Sequence, residues 1–224
     1  SLDLTTCGDT GEPYDFDKRS NQRRARQLLR EKRPGLLICS PMCTAFSNLM
    51  NLNRERMGEK RYAQWMAKGR RHLKFVMELC REQMASSNYF LFEHPAFASS
   101  WMEPEVVALI KNMNVMTVIA NMCRFGMTST SPEGAEELVS KPTRFATNSK
   151  FLALSLDRKC AKDHPHAQLL NHRAAAAQIY PPDLCKAIIL GYRAQVREDQ
   201  GWSRDGNPGD LQLLSFSISF IMIV

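Results

Sequence analysis

The 224 residues carry 30 lysines and arginines against 23 aspartates and glutamates, a formal net charge of +7, and 44% of them are hydrophobic. This composition excludes a disordered chain and predicts one globular domain with a sizeable core. The basic excess favours an anionic partner, although solvated helix faces carry similar charge.

The seven cysteines are an odd number and do not follow the regular spacing of a disulfide framework. A signal-peptide pattern is also not visible in the sequence. Both features predict a reducing, intracellular setting, and a nuclear one if the chain comes from a eukaryote.

The amino-terminal part begins with a strand-like pattern, Ser1–Thr6, followed by a loop rich in glycine and aspartate. A basic helix is predicted for Asn21–Lys32, ending before Pro34. The range Lys18–Arg33 carries eight lysines and arginines and a single acid.

The first buried strand is predicted at Gly35–Cys39, where a continuous apolar run stops at Ser-Pro. Pro41 cannot donate to a sheet ladder, so the strand should end there. Because chemistry in open α/β sheets collects beyond the carboxyl ends of the strands, Cys43 is a candidate nucleophile on a short, stiff loop. The alternative is that Cys43 is one more small buried hydrophobic residue.

The second buried strand is predicted at Tyr89–Phe92, after a long helix, Arg61–Ala85, whose apolar stripe indicates core packing. This strand also runs into a charged residue and a proline, in the sequence Glu93-His94-Pro95. Glu93 is therefore a second candidate for chemistry, and capping of the next turn is its alternative role.

Helices and strands continue to alternate along the rest of the chain. Helices are predicted at Pro104–Asn112 and Pro182–Val196, strands at Val115–Ala120 and Lys141–Thr147, and a polar loop at Thr128–Gly134. This alternation predicts an α/β fold with a doubly wound, mostly parallel sheet. The apolar tail Leu211–Val224 is too short to span a bilayer, and a buried strand, a read-through product or an adhesive tail all fit it.

Cys43 and Glu93 form a pair with a specific chemical use. A thiolate can add to an electron-poor ring carbon while a nearby carboxyl group holds a proton on the ring nitrogen. The carboxyl group must then be at least partly protonated, and burial at a strand end would raise its pKa in that direction.

Four segments occur in the order and rough spacing of a known family. They are SPMCTAFS around Cys43, FEHP around Glu93, CRFGM with KPTRFATN within Cys123–Asn148, and YPPDLCKAI at Tyr180–Ile188. Over about residues 1–196 the chain resembles the cytosine-5 DNA methyltransferases, and phage-type and transposon-borne members most of all. The resemblance implies a Rossmann-like sheet of the S-adenosylmethionine-dependent methyltransferase type and DNA, or else RNA, as the partner.

The resemblance also implies roles for individual residues. Cys43 would attack C6 of a cytosine flipped out of the duplex, and Glu93 would engage its N3 and exocyclic amine. Arg144 would bind the flipped base or orient Glu93. The chain departs from the family at Met42, where a proline is usual, and at His94, where asparagine is usual.

The methyl donor implied by the resemblance is S-adenosylmethionine. Asp3 would bind its ribose, Asp15 or Asp17 would lie near its adenine, and Pro41 would contact it as well. The glycine-rich donor loop of the family should precede the catalytic cysteine by two further strands.

The methyltransferase-like domain, residues 1–198, is therefore expected to be incomplete at its amino terminus and to lack the first strand and that loop. A degenerate glycine loop at Gly8–Gly11 is the less favoured alternative, since a loose glycine pair is a weak signal. Residues 199–224 would form a carboxyl-terminal tail.

Basic residues are the candidates for contacts with nucleic-acid phosphates. They are Arg23, Arg24, Arg70, Arg71 and Lys141. A solvated surface without a partner is the alternative for the arginines.

A cysteine–histidine cluster is the last motif. Cys160, His164 and His166 follow a C-x3-H-x-H spacing, with Cys123 or His172 as the fourth partner. Zinc prefers four such ligands in a structural site. Because the spacing matches no standard zinc finger, a polar loop without metal is the favoured interpretation and a zinc site is the alternative.

Three functions follow from these observations. The principal hypothesis is an active cytosine-5 DNA methyltransferase. The second is a catalytically inactive, methyltransferase-like domain that binds nucleic acid, for example within a mobile-element polyprotein. The third is an unrelated α/β thiol enzyme in which a histidine activates Cys43, but the sequence places no histidine beside that thiol.

Overall fold

The computed structural model describes residues 2, 11, 13–130, 134–167, 179–201 and 220–223. The α-helices within these residues are α1 Arg19–Lys32, α2 Asn48–Met57, α3 Glu59–Ala85, α4 Pro104–Ile110, α5 Lys150–Leu156 and α6 Pro182–Asp199. Local chemistry explains several of their ends. Helix α1 ends at Arg33, whose φ of 41° is left-handed, because helical geometry is disfavoured before Pro34. Helix α6 opens with Pro182, which the first helical turn tolerates.

The β-strands of the described residues are β1 Leu36–Cys39, β2 Tyr89–Pro95, β3 Met116–Asn121, β4 Thr128–Thr130, β5 Glu136–Leu138, β6 Pro142–Thr147 and β7 Phe220–Ile223. The main sheet contains five of them in the order β3-β6-β2-β1-β7. Strands β4 and β5 pair antiparallel in a separate two-stranded sheet. Leu2 adds an isolated parallel bridge to Ile223, on the outer side of β7.

The α/β class predicted from the sequence is confirmed, but the main sheet is mixed. Strand β1 pairs in parallel with β2 and with β7, whereas β6 lies antiparallel between β2 and β3. Parallel neighbours need a crossover connection, which is usually a helix. The described part of the connection from β3 to β6 contains β4, β5 and one 3₁₀ turn instead, so β6 can return antiparallel beside β3.

Two buried hydrophobic clusters cover the two faces of the main sheet. One cluster packs α1, α3 and α4 against Leu37 and Cys39, and we call this side the α3 face. The other packs α5 and α6 against Leu36 and Ile38, and we call this side the α6 face. Alternate residues of β1 thus contribute to opposite faces, as the geometry of a strand requires.

Several elements differ from those that the sequence predicted. Helices α2 and α5 were not predicted, because α2 is mostly polar and α5 is short. The range predicted as a polar loop, Thr128–Gly134, contains β4, which depends on its partner β5 and shows no apolar alternation of its own. Within the apolar tail, β7 forms a strand of the main sheet. The predicted strand Ser1–Thr6 lies outside the described residues except for Leu2.

Candidate active site

The carboxyl ends of β1 and β2 bring Cys43 and Glu93 to one edge of the sheet. These strands are parallel neighbours, and their register runs as far as Cys39 opposite Phe92. Glu93 follows that pair directly on β2. Cys43 caps a 3₁₀ helix, Thr44–Phe46, a short way beyond the end of β1. This edge is where α/β sheets usually carry their chemistry.

Glu93 is a buried carboxyl group on the α6 face, with 9% of its surface exposed. The Tyr180 hydroxyl donates a hydrogen bond to its Oε2 at 3.4 Å, and the same hydroxyl is hydrogen bonded to Ser40. Burial raises the pKa of Glu93, and this rise is only partly opposed by the charge of Lys141 and by the Ser40 and Tyr180 hydrogen bonds. Glu93 therefore holds a proton more readily than an exposed glutamate does.

Cys43 is half-buried and lies in the same electrostatic environment. Burial raises the pKa of its thiol, the negative charge of Glu93 raises this pKa further, and the positive charge of Lys141 lowers it. The thiol is therefore mostly protonated at neutral pH. Protonation of Glu93 removes its negative charge, which is one of the two effects that raise the pKa of Cys43. The thiol therefore ionises more easily when Glu93 carries a proton.

Lys141 directly precedes β6 and acts on both groups of the pair. Its φ of 26° lies in the left-handed region that a lysine seldom adopts. The Thr143 hydroxyl donates to the Lys141 carbonyl at 3.1 Å within this turn. The sequence had assigned Lys141 to phosphate contacts, whereas the structure brings its charge to Cys43 and Glu93.

His94 anchors the loop that carries Cys43. Its Nε2 donates to the Pro41 carbonyl at 3.1 Å, and its Nδ1 accepts from the Ser100 hydroxyl at 2.6 Å. The imidazole ring stacks on Phe92 with centroids 5.5 Å apart. Burial lowers the pKa of His94 to about 4, so the ring is neutral at physiological pH. This residue is therefore a fixed support rather than a proton carrier.

Arg144 lies on β6 directly opposite His94, on the α3 face of the sheet. Its guanidinium stacks over Trp101, 4.5 Å from the ring centroid, and donates to Thr117 at 3.2 Å. Consecutive residues of a strand point to opposite faces, so Arg144 and Glu93 lie on different sides of the sheet. The structure therefore does not bring Arg144 to Glu93, and base binding by Arg144 stays a prediction.

Of the residues predicted to bind S-adenosylmethionine, the structure describes Asp15, Asp17 and Pro41. Asp3 lies outside the described residues. Asp17 is ion-paired with Lys68 at 2.7 Å and with Arg71 at 3.3 Å. The Pro41 carbonyl already accepts a hydrogen bond. Binding of S-adenosylmethionine by these residues therefore stays a prediction.

Most of the arginines predicted to contact phosphates are paired with acids. Arg23 is exposed and has no ion pair within the described part of the chain. The pairs of the others are Arg24–Glu31 at 4.0 Å, Arg70–Glu103 at 3.0 Å and Arg71–Asp17 at 3.3 Å. Such pairs reduce the positive charge that a phosphate would meet, and binding of nucleic acid stays a prediction.

Tyr180 and Ser40 are site residues that the sequence analysis did not identify. Their mutual contact spans 140 positions of the chain, and the contact from Tyr180 to Glu93 spans 87. A local pattern cannot indicate contacts of this length. Each residue nevertheless carried a signal, because Ser40 separates a buried strand from a proline and Tyr180 directly precedes the two prolines that open α6.

The predicted cysteine–histidine cluster does come together. The candidate ligand atoms of Cys123, Cys160, His164 and His166 all lie within 4.8 Å of one another. His172, the alternative fourth partner, lies outside the described residues.

Two further observations concern the chain as a whole. Among the described residues, no helix combines the length and the apolar character needed to cross a membrane. Comparison with protein-family models, with curated proteins and with solved structures gave no match to this chain.

Proposed function

We propose that this chain transfers a methyl group from S-adenosylmethionine to C5 of cytosine in DNA, through a covalent adduct at Cys43. The observation that carries the proposal is the pairing of a half-buried thiol with a buried carboxyl group at the ends of two neighbouring parallel strands. Helices on both faces of the sheet support the finer proposal of a doubly wound, Rossmann-like fold.

The chemistry begins with addition of the Cys43 thiolate to C6 of the cytosine ring. A carbon–sulfur bond forms at C6, the C5–C6 double bond opens, and Glu93 delivers its proton to N3. The raised pKa of Glu93 suits this role, because the carboxyl group must hold a proton before it can donate one. The product is an enamine whose C5 is nucleophilic.

Lys141 supports the step in which the partly exposed Cys43 thiol loses its proton to solvent water. Its charge lowers the pKa of Cys43, whereas burial and the Glu93 carboxylate raise it. Tyr180 and Ser40 hold Glu93 in place on the α6 face, and His94 holds the Cys43 loop on the α3 face. The donor supplies only the methyl group, and the steps assigned to this chain end at the activated C5.

The test separates activation of the base from methyl transfer. A DNA duplex with tritium at C5 of cytosine is incubated with the protein and no donor. Addition of Cys43 to C6 lets C5 take up a proton from water, and elimination of the thiolate then releases tritium. The wild type and Cys185→Ser should release tritium, whereas Cys43→Ser should not, and Glu93→Gln should release it much more slowly.

The second arm adds S-adenosylmethionine and DNA containing 5-fluorocytosine. Release of Cys43 after methylation requires loss of a proton from C5. In 5-fluorocytosine C5 carries fluorine in place of that hydrogen, so the methylated adduct remains attached to Cys43 after denaturation. Tritium release without this adduct would mean that the base is activated but the donor does not bind. The absence of both tritium release and the covalent adduct would contradict the proposal, provided that the same sample binds this DNA at low salt.

The second candidate is the catalytically inactive, methyltransferase-like domain that binds nucleic acid. Two observations favour it: the pKa of Cys43 is raised by burial, and Asp17 is engaged by two cations. This candidate predicts DNA binding that weakens with salt and leaves every cysteine unmodified.

A further inference from the structure

Two separate segments contribute to the cysteine–histidine cluster. Cys123 is buried in a 3₁₀ helix, Met122–Phe125, that directly follows β3. Cys160, His164 and His166 are half-buried and lie in the loop after α5. Both cysteines are free thiols. We propose that these four residues bind one Zn²⁺ ion in a structural site.

The spacing of the ligand atoms suits tetrahedral zinc. With Zn–S bonds of about 2.3 Å and Zn–N bonds of about 2.0–2.1 Å, tetrahedral angles place a sulfur and a nitrogen ligand about 3.5 Å apart. The Cys160 sulfur lies 3.5 Å from Nε2 of His166 and 3.7 Å from Nε2 of His164. Because all four candidate ligand atoms lie within 4.8 Å of one another, side-chain shifts of about 1 Å would bring the set to this spacing.

The ring of His164 is already oriented for a metal at its Nε2. Its Nδ1 donates to the Asp163 carboxylate at 2.7 Å, and this leaves the lone pair of Nε2 directed at the cluster. Zinc-bound histidines usually donate their other N–H to a carboxylate or a carbonyl in this way.

The backbone holds Cys160 in a similar manner. The Lys162 N–H donates to the Cys160 sulfur at 3.2 Å, and the left-handed φ of 62° at Lys162 closes this turn. The Cys160 N–H donates to the side-chain oxygen of Asn121 at 2.9 Å, which connects the loop to the end of β3. Hydrogen bonds to sulfur stabilise the thiolate form that zinc needs.

The donor set indicates what the ion does. Two thiolates and two neutral imidazoles balance the charge of Zn²⁺, and four protein ligands leave no position for water, so the site is structural rather than catalytic. The ion would fasten the loop after α5 to the end of β3. The stacking of Arg158 on Phe125, at 4.8 Å, joins the same two segments.

The experiment measures metal in protein prepared without a polyhistidine tag and without chelator. We expect about one zinc per chain, as four protein ligands bind one ion. Cys160→Ser and His166→Gln should lose the metal. The matched control Cys185→Ser removes an exposed cysteine outside the cluster and should keep it. Asp163→Asn should weaken metal affinity about tenfold.

Cobalt binding can be measured on the wild type alone, so this test does not require the variants to fold. Co²⁺ added to reduced, metal-free wild type should give the intense visible bands of a tetrahedral ion and the ultraviolet charge-transfer band of cobalt–thiolate bonds. Absence of zinc together with absence of these bands would overturn the proposal. Equal metal content in Cys160→Ser and in the wild type would overturn it as well.

Discussion

At the scale of single residues, Lys141 links the two members of the candidate catalytic pair. It lowers the pKa of Cys43 and opposes the burial that raises the pKa of Glu93. Lys141→Met should therefore raise both pKa values and slow alkylation of Cys43 severalfold at neutral pH. Mass spectrometry of the Cys43 peptide, over a pH series with iodoacetamide, measures this rate.

The matched control is Lys150→Met, which removes an exposed lysine at the start of α5. Its alkylation profile should follow that of the wild type. An unchanged profile for Lys141→Met would mean that Lys141 does not set the ionisation of the thiol.

The same scale shows how much of the site a sequence can predict. Cys43 and Glu93 could be found because each follows an apolar strand closely and lies near a proline. The cysteine–histidine cluster could be proposed because three of its members lie within seven consecutive positions. Tyr180 and His94 could not be assigned, because their roles depend on partners that only the folded sheet brings near them.

At the scale of elements, α5 and α6 pack in close contact through Gly191. A Cβ at this position would collide with the Ser155 hydroxyl and would lie 2.9 Å from the Phe151 carbonyl oxygen. Gly191→Ala should therefore lower the free energy of unfolding by about 1–2 kcal/mol, since overpacking exceeds the helical gain of alanine. Chemical denaturation measures this change.

Leu190→Ala is the control on the same helix, because Leu190 is about half exposed. It should change the free energy of unfolding by no more than about 0.5 kcal/mol. A stability for Gly191→Ala equal to or above that of the wild type would show that the two helices can separate without cost.

The antiparallel direction of β6 in the main sheet could not be predicted from the sequence. The local pattern of β6 fits either direction, because both faces of a central strand are buried in each case. The direction is set by the connection from β3, where polar residues form the β4–β5 pair in place of a helix. The α/β class was thus predictable from alternation, and the mixed pairing was not.

At the scale of the whole molecule, the buried His94 and the half-buried His72 make stability depend on pH. Burial lowers the pKa of His94 from 6.5 to about 4, and it lowers the pKa of His72 to about 4 in the same way. Between pH 6.5 and pH 4, these two histidines bind protons in the unfolded chain but remain mostly neutral in the folded chain. The contribution of these histidines to the free energy of unfolding should therefore be fully present above pH 6.5. It should decline as the pH falls toward 4, by about 3 kcal/mol for His94 alone.

His94→Gln isolates this contribution, because the glutamine amide extends as far as Nε2 of the imidazole. It can donate to the Pro41 carbonyl but does not titrate. Its stability between pH 7 and pH 4, measured by urea denaturation, should fall less steeply than that of the wild type. Glu93 works in the opposite direction, since a raised pKa makes the folded state bind a proton more tightly as the pH falls. Parallel pH curves for the two proteins would show that His94 is not buried in its neutral form.

The order of the main sheet has a consequence for the time course of folding. Strand β1 pairs with two strands that come later in the chain. Leu36 lies opposite Tyr89 of β2, 53 positions later, and opposite Phe220 of β7, 184 positions later. During synthesis, the edge of β1 that pairs with β7 stays open until Phe220–Ile223 have left the ribosome. An open edge of an apolar strand pairs readily with other chains, so slow translation of the residues between β2 and β7 should favour aggregation of nascent chains over correct folding.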